Sequence, residues 1–360
     1  MENEKEVLLF TLDFNKASEE IISKKGRLSH KFTDTVFVAF VPENFKTEIL
    51  KNASEKVPTT LDKTSKLMVK AWKSVLKGAN NKSKLAEEKP LTWDIGGKFE
   101  TPKHPDNDEK LRTKDEDLKK NLTNNLTITN ETMTGKIIVG IVIVSGPTVQ
   151  NLNFSSVEQA NTITQIMLGT RFLTLSAPAE FNLYFVYDSH YIIVDTLPSP
   201  VQCTNQNFQV CEAVFRDPAL TQMGYQTGYQ GCVDYVNHLS TFPNVNGAYV
   251  SFFTKYPLYH FAYQYGINLY MQYSNDGWGP NRINQVFAHE SCHIFGAADE
   301  YAGSGCTCAP SGKYQIANNN CDNCSYQPKV PCLMNANTLS ICTWSQGQIG
   351  WYTPPPEKNN

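Results

Sequence analysis

The run at 136–145, KIIVGIVIVS, is almost entirely β-branched and shows no alternation of apolar and polar positions. Such a run suits a strand covered on both faces, as in a parallel sheet, rather than one with a wet side. Downstream, Val157, Ala160, Ile163, Ile166, Met167 and Thr170 fall near a 3.6-residue period and predict a helix over 156–173. Strands are expected at 181–187, 191–194, 247–254 and 267–273, and a helix at 281–295. After Gly296 regular patterning gives way to Cys, Gly, Asn and Pro. The expected class is α+β (α/β-like), with a twisted mixed sheet and an irregular C-terminal lobe.

Upstream, residues 5–50 read as β-α-β. Strands are expected at 7–12 and 36–41, with a helix at 16–25 stopped by Lys24-Lys25-Gly26. Further helices are expected at 44–52 and 61–78. From 80 to 134 Lys, Asp, Glu, Asn and Thr dominate, as in a solvated linker. The chain of 360 residues therefore divides into an N-terminal α+β module (1–80), a polar linker (81–134) and a main domain (135–352), itself split into lobes 135–296 and 297–352. A linker of this kind is where a removable prosegment would be cut.

The formal net charge of -3 gives no reason to expect nucleic acid or an anionic membrane as partner. No apolar run approaches the ~20 residues of a membrane span. The chain starts on acidic and polar residues, without the pattern of a secretory signal. All ten cysteines lie between Cys203 and Cys342. Disulfides in an exported domain are the favoured use, with a reduced or metal-bound set in the cytoplasm as the alternative.

The chemistry concentrates at His289-Glu290-Ser291-Cys292-His293. Histidines four apart stack on one face of a helix, so both imidazoles can reach one metal ion. Glu290 lies about 100° round the helix and can reach a metal-bound water instead. Gly296 ends the helix, and the reversal lets Asp299 return as a third ligand. Two imidazoles and a carboxylate leave a fourth position for water, the arrangement of a catalytic zinc. Zinc acidifies that water and polarises a carbonyl, while Glu290 serves as general base and then acid.

HESCHIFGAADE (289–300) resembles the extended zinc motif of the metzincin peptidases, and PCLMNANTLSICTW (331–344) resembles their Met-turn, with Met334 beneath the metal. The resemblance covers about residues 136–352. It implies a twisted five-stranded sheet with the active helix, an irregular lower lobe, one zinc and a protein or peptide substrate. Most metzincins carry His as third ligand. Asp299 makes this chain similar to the snapalysin type, and GAADEY is similar to the IgA-peptidase-like group. Glu300 is the alternative ligand. Where some members place a Tyr after the Met-turn, Ala336 stands here, and Tyr301 is a distant candidate for that role. IISKKGRLSHKFTDTVFVAFVP (21–42) resembles the inhibitory propeptides of subtilisin-type proteases, a small ferredoxin-like unit. That implies a zymogen, with intramolecular inhibition by the N-terminal module. Residues 1–202 contain no cysteine, so a cysteine ligand from the prosegment is excluded; His30 and His104 are candidates, though solvent-facing positions are favoured for both.

Cys306, Cys308, Cys321 and Cys324 could form a second, structural zinc site, or disulfides in a wider network with Cys332 and Cys342, and disulfides are favoured. Cys292 is expected to anchor the lobes, and Cys203 with Cys211 to close a short loop. By the resemblance, 267–273 is the edge strand that would pair with substrate. The competing functional class is a binding or adhesion protein that keeps its zinc without turnover.

Overall fold

The computed structural model describes residues 4–79, 93, 126–196, 203–204 and 207–352. The chain opens with β1 (Glu4–Phe10), α1 (Phe14–Ser23), β2 (Arg27–Thr33), β3 (Val36–Pro42) and α2 (Lys63–Ala79). Next come β4 (Lys136–Ser145), α3 (Ser156–Ser176), β5 (Tyr184–Ile193), α4 (Phe208–Gln222), α5 (Gly228–Ser240) and β6 (Val245–Thr254). The hairpin β7 (Ala262–Tyr265) and β8 (Asn268–Gln272) leads into α6 (Ile283–Ile294). The lower lobe holds β9 (Pro310–Ser311), β10 (Ile316–Ala317) and α7 (Thr343–Gln348).

Among the described residues, eight strands form one mixed sheet in the order β1-β3-β2-β5-β4-β6-β8-β7. From β2 to β8 each neighbour is parallel, while the β1/β3, β3/β2 and β7/β8 pairs are antiparallel. β4 lies at the centre, and its sequence explains why. Ile137, Val139, Ile141 and Ile143 enter one core with residues of α2, α3 and α6. Ile138, Val142 and Val144 enter a second core with α4 and α5. Because successive side chains alternate faces, a strand with two cores must be apolar throughout. Helix α3 starts at a capping box, in which Ser155 and Glu158 satisfy each other's backbone N–H groups.

Several elements differ from expectation. The two strands expected at 181–187 and 191–194 are one strand, β5, which starts only at Tyr184 and continues through the polar Asp188-Ser189-His190 while pairing with β4. The helix expected at 44–52 is a single turn, Thr47–Ile49. β2 was not expected, since its Ser29 and His30 are buried only through tertiary partners. Helices α4 and α5 were also missed. In α4, Pro218 lies inside the helix and the buried pair Arg216–Glu212, 3.2 Å apart, interrupts the apolar period. The segment 126–134, assigned to the linker, is packed: Met133 N–H donates to Ile349 O at 2.8 Å, and Trp351 Nε1 donates to Met133 O at 2.6 Å. The expected edge strand 267–273 is interior, because the aromatic run before Gly266 folds back as β7 and takes the edge.

Residues 4–79 share the sheet and a core with the rest of the chain. β1-α1-β2-β3-α2 matches the first five elements of a β-α-β-β-α-β unit. The outer edge of β2 is taken by β5, with His30 opposite Phe185 and Lys31 opposite Val186. Arg171 of α3 forks onto the Glu6 carboxylate at 2.7 and 2.8 Å. His30 is not a ligand beside the His289–His293 motif and does not face solvent. It is fully buried, with Ser29 Oγ at 2.7 Å and Thr170 Oγ1 at 3.3 Å. His104 lies outside the described residues.

Burial, with a smaller contribution from the Arg171 charge, lowers the His30 pKa to about 3. In an unfolded chain it returns to about 6.5. The unfolded state therefore binds the extra proton between those values. The stability from neutral His30 is complete above about pH 6.5 and is lost as pH falls toward 3, at up to about 1.4 kcal/mol per pH unit. Urea midpoints measured from pH 7 to pH 5, above most carboxylate titration, should fall. In His30→Asn the slope should be shallower by about one proton. Equal slopes in the two proteins would refute this assignment.

Candidate metal centre

Helix α6 is held rigidly before it offers any ligand. It crosses α3 so closely that a Cβ on Gly169 would stand 2.6 Å from Asn284 O. Ser291 Oγ bonds Phe287 O at 2.7 Å and meets Tyr249 OH of β6 at 2.9 Å. The helix ends in a Schellman turn. Ala297 N–H reaches Cys292 O, Gly296 N–H reaches His293 O, both at 3.0 Å, and Gly296 has φ +91. Glycine is required there twice over, since a Cβ would also lie 2.7 Å from Gly312 Cα. The reversal returns Asp299 to the face that carries the histidines.

His289, His293 and Asp299 come together. The two Nε2 atoms are 3.1 Å apart, and Asp299 Oδ1 lies 3.2 Å from each. His289 Nδ1 is 3.0 Å from Leu333 O and His293 Nδ1 is 2.8 Å from Ala297 O. A carbonyl only accepts, so both Nδ1 atoms carry hydrogen and the neutral rings turn Nε2 lone pairs toward Asp299. Asp299 Oδ1 is buried, with the two Nε2 atoms as its polar neighbours. Three acceptors at this spacing repel one another unless a proton or a cation joins them. Burial opposes charge on His293, but the Asp299 carboxylate outweighs it and raises the His293 pKa to about 9. Burial likewise opposes charge on Asp299, and the two histidines outweigh it and hold its pKa well below the usual carboxylate range. Ligand atoms about 2.1 Å from a tetrahedral ion sit about 3.4 Å apart, so the donor set fits a metal ion in chemistry and in spacing.

Glu300 is turned away. Its buried carboxylate takes Asn320 Nδ2 at 2.6 Å and Ser345 Oγ at 2.8 Å, leaving Asp299 as the carboxylate at the histidines. Glu290 is buried at the cleft, and its Oε2 has no hydrogen-bond partner. Tyr301 lines the same cleft, with its ring 6.4 Å from that of His289. Met334 is fully buried within a tight turn, where Asn335 N–H and Ala336 N–H both reach Cys332 O. The turn's Leu333 carbonyl is the one that orients His289.

Trp93 was not anticipated. Its ring stands 5.1 Å from the His289 ring, and its Nε1 donates to Leu333 O at 2.7 Å. The only signal for it was a tryptophan standing in a Lys- and Asp-rich stretch. His260, Phe261 and Ala262, at the entry to β7, also line the cleft. By contrast, Phe252, Phe253 and Tyr256 are core residues.

The cysteines divide cleanly. Cys203–Cys211, Cys306–Cys321 and Cys308–Cys324 are disulfides. Four of these six were candidates for a structural zinc site, and sulfurs bonded to one another are not ligands. Cys292 does not anchor the lobes: it is a free thiol in the core, and burial raises its pKa well above the usual range. Disulfides fit an extracellular protein. No helix among the described residues is long and apolar enough to cross a membrane.

No family model, curated protein or solved structure matches the chain. A functional reading therefore has to stand on the site itself.

Proposed function

We propose that the chain is a zinc-dependent endopeptidase of metzincin type, with His289, His293 and Asp299 as ligands and Glu290 as general base and acid. The observation that carries this reading is the junction of three ligand atoms at 3.1–3.2 Å beside a buried, unpartnered Glu290 carboxylate oxygen. A merely structural site has no use for that orphaned carboxylate, which costs stability where it stands. When bound, zinc supplies Lewis-acid polarisation of a carbonyl and an acidified water. Glu290 takes up a proton on the side facing the cleft and returns it to the leaving amine. Leu333 O and Ala297 O keep both imidazoles in the ligand tautomer. Among the described residues β7 is the last strand of the sheet, and its outer edge borders the cleft and offers backbone groups to an extended peptide.

Two further observations support the finer points. The five strands from β5 to β7 carry one antiparallel edge strand and lead into α6, in keeping with the resemblance. Trp93 against His289 supports inhibition within the chain, since its indole takes space a substrate side chain would need. The test is metal removal. Purified protein should carry about one zinc per chain and, once limited proteolysis has released Trp93 from the cleft, cut a denatured protein substrate. A strong chelator should abolish cleavage, and about one equivalent of zinc should restore it. Cleavage that survives complete removal of metal would exclude the proposal.

A further inference from the structure

A second group of ligand-capable side chains lies in the lower lobe. Glu300, Cys332 and Cys342 are buried, and their carboxylate and thiol atoms lie within 4.8 Å of one another. Such a cluster can hold a metal ion or form a disulfide. Ser345 separates the two cases. Its hydroxyl stands 2.8 Å from Glu300 Oε1, 3.3 Å from Cys332 Sγ and 3.4 Å from Cys342 Sγ. It fills the space between the three groups where an ion would sit. Glu300 is already served by Asn320 Nδ2, Ser345 Oγ and the Cys342 thiol, so it needs no cation.

The two sulfurs lie within 4.8 Å of each other, and Cys342 N–H reaches Cys332 Sγ at 3.3 Å across a separation of 10 residues, so a small rotation of the side chains brings the sulfurs to bonding distance. Leu333 N–H donates to Ser340 O at 2.6 Å and holds the two ends of the loop together. The other two free cysteines have no such option. Cys232, on α5, faces one core of the sheet, and Cys292, on α6, the core on the opposite face.

We propose that Cys332 and Cys342 form a fourth disulfide, closing the loop that carries Leu333 and Met334 beneath the histidines. The bond forms by exchange with a small-molecule disulfide such as oxidised glutathione. One cysteine thiolate displaces a small thiolate to give a mixed disulfide, and the second displaces the other. Two protein thiols are oxidised, one small disulfide is reduced to two small thiols, and the two protons lost by the cysteines end on those thiols. Both sulfurs are buried in the folded lobe, so the exchange belongs to the folding chain. Glu300 keeps Asn320 and Ser345 as donors when the thiol is consumed. On the metal reading above, the closed loop fixes the Leu333 carbonyl and with it the His289 ring.

The test uses the full chain expressed in an oxidising compartment. It is unfolded with chelator present, alkylated without reductant and digested with trypsin. No Lys or Arg lies between Lys329 and Lys358, so both cysteines fall in one peptide. That peptide should be unalkylated and two hydrogens lighter than the dithiol, with only Cys232 and Cys292 labelled. Alkylation at Cys332 and Cys342, or pairing of either with another cysteine, would overturn the proposal. This arm does not depend on zinc or on activity. The role under the histidines is tested by Cys332→Ser/Cys342→Ser, which should give up zinc to a competing chelator roughly 10-fold more readily. Equal retention by the variant and the parent would remove that role.

Discussion

Glu290→Ala is expected to retain its metal and to lose cleavage of a denatured protein substrate by at least about 10²-fold, and by as much as about 10⁴-fold. On the proposed reading His289, His293 and Asp299 hold the metal, and Glu290 Oε2 makes no hydrogen bond to them. Removing the carboxylate therefore leaves the metal in place while taking away the group that moves the proton. That loss corresponds to about 3–5 kcal/mol of activation barrier. A buried acceptor without a donor is also a cost to the fold. The melting temperature of Glu290→Ala should be equal to or above that of the parent, which separates lost catalysis from lost folding. Zinc content by mass spectrometry, substrate cleavage and thermal unfolding check all three parts. Undiminished cleavage would end the assignment of Glu290, and a lowered melting temperature would mean that it is structural.

The second large effect distinguishes two adjacent carboxylates. Asp299→Ala removes one of three ligand atoms and should weaken zinc binding by more than the 10–100-fold typical of losing an outer partner. Its carboxylate also steadies charge on His293, so metal-free stability should fall as well. Glu300→Ala should act on stability alone. It removes an acceptor from Asn320 Nδ2, Ser345 Oγ and the Cys342 thiol, of which Asn320 Nδ2 keeps Val330 O. A loss on the order of 3 kcal/mol is expected, with zinc affinity near that of the parent. If Cys342 is joined to Cys332, two donors remain and the loss is correspondingly smaller. Chelator competition and urea unfolding of both variants check the pair. Unchanged zinc affinity in Asp299→Ala would transfer the ligand role to Glu300.

The His30 result bears on what an N-terminal module can be here. The shared sheet, the Arg171–Glu6 fork and the burial of His30 against Thr170 all join residues 4–79 to the main domain. Separating them would expose the parallel edge of β5 and a face of α3. The expected separation into module and linker rested on composition between 80 and 134. Composition reports solvation of a segment and is silent on whether the pieces it connects share a core.

What was legible from sequence was local. A β-branched run requires two cores, so β4 and its central place followed from ten residues. Histidines at i and i+4, a glycine forced to φ +91 and an aspartate six residues beyond His293 are one helix and its stop, and short-range geometry brings them together. The Cys203–Cys211 pair was legible for the same reason, being close in the chain. Tertiary structure decided whatever depends on partners far away in sequence. It turned Glu300 away from the histidines by giving it donors from Asn320 and Ser345. It supplied the Leu333 carbonyl that sets the His289 tautomer and the Trp93 ring beside it. It also made β7 the sheet edge and joined Cys306 to Cys321 and Cys308 to Cys324. Helix periodicity and capping act over a few residues and leave their mark in the residues themselves. Hydrogen bonds, strand order and cysteine pairing across the fold are set by which surfaces pack together, and no single segment carries that information.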